Sequence, residues 1–293
     1  QFVVHDGLEN PRYQGMLTGG MRMRPDGRSV GYVVWQDGAF FVVWAGWEGP
    51  RHEWIEAQTL VTSADGTHMA YCFNQGEESF VSADWAAGPA YDETDDVVFS
   101  RDGRRYAYTA ARGEKHFMVV DGEELPSEYA AVRSAVFDLS GEHMAYAAKL
   151  DDGCTVIRDG EAGGTYEGVR DPVWSDDGKH MAHAAQRGEK WFVVVDGVEG
   201  EKRFDRIEWI SYGKGCVAYT GQRGDAWVVV VDGAETRECR GEVADRRFRN
   251  LKRNLVFDDE NKLHVMAVNE DELYLVEIRI AGDKGTVTLI MIF

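Results

Sequence analysis

Val97-Val98-Phe99-Ser100-Arg101-Asp102-Gly103 is followed by Tyr106-Ala107-Tyr108, then Arg112-Gly113-Glu114-Lys115, then Phe117-Met118-Val119-Val120-Asp121-Gly122. The same order returns as Val173-Trp174-Ser175-Asp176-Asp177-Gly178, Met181-Ala182-His183, Arg187-Gly188-Glu189-Lys190 and Phe192-Val193-Val194-Val195-Asp196-Gly197. The glycine of the first turn recurs at Gly27, Gly66, Gly103, Gly141, Gly178 and Gly215, in steps of 39, 37, 38, 37 and 37 residues. A looser seventh copy begins at Leu255-Val256-Phe257-Asp258-Asp259. Each copy holds four short segments rich in Val, Phe, Tyr and Trp, separated by Asp-Gly or Arg-Gly. Asp-Gly suits a tight hairpin because glycine takes positive φ without penalty and aspartate caps its own turn. No segment carries a 3.6-residue period with helix caps.

Four strands per repeat of about 38 residues predict propeller blades. One blade cannot bury both of its faces, so neighbours must stack on it. The expectation is an all-β fold, a seven-bladed β-propeller of four-stranded antiparallel blades, forming a single domain over residues 1–293. Eight blades are the alternative. Phe2-Val3-Val4-His5-Asp6-Gly7-Leu8-Glu9 matches Phe192 through Glu199, a third strand and its following turn. Segment 1–15 is therefore expected to contribute to ring closure by adding to the last blade, which removes two sheet edges. An eighth blade begun upstream would account for it equally.

The stretches Ser63 to Tyr71 and Ser100 to Tyr108 read Ser-x-Asp-Gly-x-x-Met/Tyr-Ala-Tyr. This resembles the repeat of WD40-like propellers of the TolB type, Phe-Ser-Pro-Asp-Gly-Lys-x-Leu-Ala-Tyr. The proline of that pattern stands here only at Pro25. The resemblance covers most of the chain. It implies the propeller fold, and a role as a binding platform, as a substrate gate on a peptidase or as a part of envelope machinery; fold alone does not choose among these.

The 51 acidic residues against 32 basic ones leave a net charge of −19, which excludes a broad nucleic-acid-binding face. No apolar run of about 18 residues predicts a transmembrane helix. Cys72, Cys154, Cys216 and Cys239 are widely spaced, so neither a zinc ribbon nor a disulfide scaffold is expected. No cofactor or metal site is predicted, and the compartment stays open between periplasmic or exported and cytoplasmic.

Three places could carry function. Arg246, Arg247, Arg249, Lys252 and Arg253 crowd eight residues in an otherwise acidic chain. Guanidinium groups pair bidentately with carboxylates, so an acidic docking surface on a partner protein fits them. Trp47 and Trp54 fall in the outermost-strand region of the first complete copy, where an exposed tryptophan suits an interface. Asp95, Arg133, Arg170 and Glu208 share one repeat position at the approach to the first strand, a mixed-charge set at the channel mouth that could hold a small polar ligand. His183 replaces the tyrosine of the other copies and is expected to be a hydrogen-bonded core residue. Arg223-Gly224-Asp225 repeats Arg-Gly-Glu at 112 and 187, so it reads as a turn. There is no Gly-x-Ser-x-Gly elbow, His-Glu-x-x-His, phosphate loop or dinucleotide fingerprint. These features favour a non-catalytic protein-binding or scaffold module, a subunit of a larger assembly. The alternative is a ligand-binding or enzymatic propeller working at the channel mouth.

Overall fold

The structure, a computed structural model, describes residues 1–24, 27, 30–213, 215–224, 226–235, 239–240, 255–257, 262–269, 272–281 and 286–292. The chain divides into two compact units, Gln1–Asp151 and Asp152–Phe293. Both are built of successive antiparallel sheets, and the one helical piece among the described residues is the short turn Ala57–Thr59. No described helix is long and apolar enough to cross a membrane.

In the first unit one sheet runs Gly15–Met16 with Arg22–Met23, Val30–Gln36, Ala39–Trp44 and Trp47–Glu48. The next runs Trp54–Ile55 with Val61–Thr62, Met69–Gln75, Glu78–Ala83 and Ala86–Ala87. The third runs Glu93–Phe99, Tyr106–Arg112, Lys115–Val120 and Glu123–Glu124. The unit ends on the pair Ala131–Phe137 and Met144–Leu150. The second unit opens on the pair Gly153–Arg158 and Glu161–Ala162. It continues with the sheet from Gly168–Trp174 to Val198–Glu199 and the sheet from Arg206–Gly213 to Ala234–Glu235. Its last sheet pairs Leu255–Phe257, Lys262–Asn269, Glu272–Ala281 and Thr286–Ile292 in order.

Sequence and burial agree on why these segments are strands. Second strands such as Met69–Gln75 and Met181–Arg187 are buried over their first five residues rather than on alternate ones. Both faces of the sheet are covered, so the sequence there is a continuous run of apolar and small residues. The outermost strands are two residues long and mostly exposed, which leaves little edge for unwanted pairing.

The Asp-Gly turns do more than reverse the chain. Asp121, at φ 53°, accepts the Tyr106 N–H at 2.9 Å and the Arg105 Nε–H at 2.9 Å. Asp84 takes the Met69 N–H at 3.0 Å and meets His68 Nδ1 at 2.5 Å. Asp196 does the same with Met181 and His180. His68 and His180, at one repeat position, thus belong to the turns. On the opposite turns, Arg112 and Arg223 each grip a glutamate, Glu124 and Glu235, with two hydrogen bonds. The Gly224 N–H donates to Asp205 at 2.6 Å, so the Arg-Gly pair at 223–224 is a structural turn.

A second repeating unit joins consecutive copies. Tyr32, Tyr71, Tyr108 and Tyr146 each meet an aromatic residue 17 to 19 positions earlier, Tyr13, His52, Tyr91 and Tyr129, with ring centroids 6.3, 5.7, 6.1 and 6.0 Å apart. In the second unit the couples are Tyr166–His183 and Phe204–Tyr219. The earlier member bridges back to the third strand of the preceding sheet, as Tyr91 does to Ser79. Such a couple therefore fastens the third strand of one sheet to the second strand of the next.

Segment 1–15 forms a two-stranded sheet, β1 (Val4–His5) and β2 (Leu8–Glu9), that joins no third strand among the described residues. Val3 packs with Tyr13, Tyr32, Phe41 and Val43. Cys72 is buried and its thiol is pushed up to about 12 by burial, while Cys154 and Cys216 are half-buried; all three are free thiols.

Candidate functional site

Trp35 closes the second strand of the first sheet, directly opposite Phe40 on one side and Gly15 on the other. With no side chain at Gly15, the indole lies over that backbone, and a Cβ there would sit 3.7 Å from the ring. Phe40 and His52 exchange two backbone hydrogen bonds, of 2.9 and 2.8 Å. That bridge ties the outgoing chain to the first sheet. Two residues on, Trp54 has crossed to the second sheet, where it pairs with Asn74. The Trp54 indole meets the Phe40 ring at 4.9 Å and 67°, edge to face. Cross-strand partners share a face. Trp35, Phe40 and Trp54 therefore form one row, Trp35 and Phe40 as a cross-strand pair and Phe40 and Trp54 through their ring contact. Trp35 is 38 % and Trp54 43 % exposed.

The floor of the row is rigid. His52 lies against Phe73 at 3.8 Å, and its Nε2 is 3.0 Å from the Tyr71 hydroxyl. Burial lowers its pKa to about 4, so the imidazole is neutral at physiological pH. Polar groups fringe the row. Gln14 and Asp37 exchange two hydrogen bonds of 3.0 Å. Glu53 accepts from Gln75 Nε2 and from the Gly76 N–H, both at 2.9 Å. The equivalent rim positions hold Ala111 with His116, Gln186 with Trp191 and Gln222 with Trp227. An exposed Trp–Phe–Trp row is thus particular to the first two sheets.

The structure separates the two tryptophans that the sequence grouped. Trp47 is on an outermost strand and 77 % exposed, as expected. Trp54 is not: it begins the first strand of the following sheet. The two lie at opposite ends of Ala39–Trp44, because Trp47 pairs with Trp44 whereas Trp54 touches Phe40. Trp35 and Phe40 were not singled out from the sequence. The signal was available at Trp35, an aromatic residue at the turn-proximal end of a second strand where other copies carry Asn74, Ala111, Gln186 and Gln222.

Asp95, Arg133, Arg170 and Glu208 do occupy one equivalent position. Each is the last regular pair before a β-bulge in a first strand. The residue after each, Asp96, Ser134, Asp171 or Trp209, has φ between 52° and 57°. In the first unit Asp96 accepts the Ser134 N–H at 2.9 Å. In the second, the Arg170 guanidinium lies 4.6 Å over Trp191 and donates to the Ile207 carbonyl, and Glu208 pairs with Arg206. The side chains of Arg170 and Glu208 are thus engaged within their own unit. The basic run Arg246, Arg247, Arg249, Lys252 and Arg253 lies outside the described residues. Among the described residues, no three His, Cys, Asp or Glu side chains gather in metal-binding range.

No family model and no curated protein matches the chain. Solved structures do. A eukaryotic initiation factor is 10% identical over 97% of this chain and 81% of its own, with a TM-score of 0.55. The dihydro-heme d1 dehydrogenase NirN is 12% identical over 97% and 68%, with a TM-score of 0.50. Together with the succession of four-stranded antiparallel sheets, these two decide the fold. The chain is a β-propeller. The propeller domain of the Trilobed protease from Pyrococcus furiosus is 13% identical over 95% of this chain and 98% of its own, with a TM-score of 0.46. TolB from Acinetobacter baumannii is a looser match, and the chain spans only 55% of its length. Likenesses this distant carry the fold and no activity, and they include an enzyme.

Proposed function

We propose that this propeller is a non-catalytic, seven-bladed protein-binding module that docks its partner on the Trp35–Phe40–Trp54 row. The observation that carries the reading is two tryptophans, 38 % and 43 % exposed, linked through Phe40 on a floor fixed by backbone bridges and the His52–Tyr71 pair. Tryptophan gives much contact area for little lost conformational freedom, and interface energy concentrates on such anchors. More than a third of each indole is open to solvent, and that apolar area is free to stabilise a complex. By their charge alone, the five basic residues of 246–253 are a separate candidate contact for an acidic surface on a partner protein.

Native mass spectrometry of the protein purified gently from its own source tests this. The wild type is expected to carry a second protein in fixed stoichiometry. The variant with Trp35→Ser and Trp54→Ser should lose it, and Trp47→Ser should keep it, with both variants shown by thermal unfolding to be folded at the temperature of the measurement. A complex that survives the double substitution, or a chain carrying only a small bound mass, overturns the reading. The latter result would move attention to Asp95, Arg133, Arg170 and Glu208.

A further inference from the structure

Where a second strand turns into a third, a guanidinium repeatedly covers aromatic rings. Arg112 lies 4.9 Å over Tyr91 and 5.4 Å over Phe117. Arg187 lies 5.5 Å over Tyr166 and 5.8 Å over Phe192, and Arg223 lies 4.2 Å over Phe204. Trp191 is the counterpart of Phe40, since each pairs with the end of a second strand and bridges to the chain leaving its sheet. Trp191 is covered too, by Arg170 at 4.6 Å. A planar guanidinium suits this place because it stacks on a ring and gives up little hydration.

The first two sheets have lost these cations around the tryptophan row. Gln36 and Ala39 stand where other copies have Arg112 with Lys115 and Arg187 with Lys190, and Gln75 and Glu78 take the same places in the second sheet. Leu17 occupies the place of Arg170. The cation that does reach this end, Arg51, is engaged elsewhere: it lies 4.4 Å over Phe41 and 3.7 Å from Glu48. Acids have stayed. Asp37, beside the turn after Trp35, and Glu53, beside Trp54, are held by neutral donors. Glu77 and Glu78 follow on the turn after Asn74 and Gln75. None of these four carboxylates is paired with a cation among the described residues. Open indole faces therefore stand beside anions that have no cation.

We propose that the Trp35–Phe40–Trp54 row binds an arginine-bearing basic segment of a partner protein, with guanidinium groups laid on the indoles and their charge met by Asp37, Glu53, Glu77 and Glu78. The assignment rests on the reading of the row as a docking site and names the chemistry of what docks there. The partner supplies in trans what Arg170 supplies to Trp191 within the second unit. The arginine stem covers apolar ring surface while its head stays near the carboxylates. An acidic or purely apolar segment would instead set like charges together or bury carboxylates without a partner. The net charge of −19 also draws a basic segment in from a distance.

The probe is the peptide acetyl-Gly-Arg-Gly-Gly-Arg-Gly-amide, with lysine and citrulline counterparts as controls. The full chain carries nine tryptophans. They are labelled with 5-fluorotryptophan, the Trp35, Trp47 and Trp54 signals are assigned by single Trp→Phe substitutions, and fluorine NMR is recorded in about 0.05 M salt. The arginine peptide is expected to shift Trp35 and Trp54 saturably, with a Kd of about 1 mM or tighter, and to leave Trp47 in place. The lysine peptide should bind several-fold more weakly and the citrulline peptide not measurably. Asp37→Asn with Glu53→Gln, which keeps the hydrogen-bond acceptors and removes two charges, should weaken the arginine peptide at least about fivefold. Equal binding of arginine and citrulline peptides overturns the proposal, as does no shift at about 5 mM peptide. Signals of Trp35 and Trp54 that move without peptide, when the five basic residues of 246–253 are changed to Gln, would make this chain's own segment the occupant and overturn it too. The native complex separates this inference from the reading beneath it. A complex lost with Trp35→Ser and Trp54→Ser but kept with Asp37→Asn and Glu53→Gln ends the arginine assignment and leaves the docking site; one kept in both ends the docking reading itself.

Discussion

At position 183 the buried tyrosine of the repeat is a histidine, 6 % exposed, with neither ring nitrogen hydrogen-bonded. The sequence pattern placed this residue in the core, which holds, but the expected hydrogen bond is not made. Its only aromatic neighbour of the couple is Tyr166, edge-on at 6.1 Å, whereas Tyr129 and Tyr146 approach to 3.2 Å between hydroxyls. The partner comes from the segment that bridges back to the third strand before it, at Cys154, so the alignment of copies could show the slot but not what faces it. Burial lowers the imidazole pKa from 6.5 to about 4. Between those values the unfolded chain holds more protons than the folded one, so stability rises with pH across that window. It is complete above about pH 6.5 and falls as the pH drops toward 4, by on the order of 3 kcal/mol over the whole window for this one group. His183→Tyr removes that dependence and restores the repeat. Urea unfolding at about pH 7.5 and about pH 5 should show the variant losing about 2 kcal/mol less than the wild type on acidification. Equal losses would mean that His183 is solvated or protonated in the folded state.

Among the elements, the second and third strands of the first sheet depart from the others by a matched exchange. Gly31 stands where other copies have Ala70, Ala107, Ala182 and Ala218, and directly opposite it Trp44 replaces Ala83, Val120, Val195 and Val231. A Cβ on Gly31 would lie 2.2 Å from the indole of Trp44, so the small residue is the room the large one occupies. Gly31→Ala alone should overpack the site and cost about 1–3 kcal/mol. Trp44→Val alone should leave a cavity above Gly31 and also destabilise. The double variant recreates the pair of the other copies, so it should be more stable than the sum of the singles predicts by at least about 1 kcal/mol. Additive effects in a denaturant-based cycle would show that the indole can move aside. Strands, turns and their order were legible because each copy repeats them and errors in one copy are corrected by the next. The aromatic row was not, because it is made by departures from the repeat. Trp54 was assigned to the edge of the first sheet since it follows Trp47 closely in sequence. The crossing of the chain to the next sheet at residues 52–54 falls inside one copy's apparent boundary, and only the Phe40–His52 bridge marks it.

For the whole molecule, periodicity settled the fold while composition bore on a different property. A net charge of −19 on 293 residues produces a long-range self-repulsion that every sheet shares. Against it stand local ion pairs such as Arg112–Glu124 and Arg223–Glu235, with side chains that are substantially exposed. Pairs of this kind are worth about 0.2–1 kcal/mol each and hold their geometry partly by hydrogen bonding, which salt affects less than charge. The repulsion acts over distances longer than the screening length of about 8–10 Å at physiological ionic strength, so salt removes much more of it than of the pairs. Stability should therefore increase with ionic strength. Thermal unfolding at pH 7.5 in about 0.2 M sodium chloride is expected a few degrees above that in about 0.01 M. A chain whose charged groups worked chiefly as stabilising pairs would show the reverse, a melting temperature that falls as salt is added. The sign of that one slope tells whether the acidic surface is a cost that folding bears for the sake of remaining apart from other molecules, or a network that holds the sheets together.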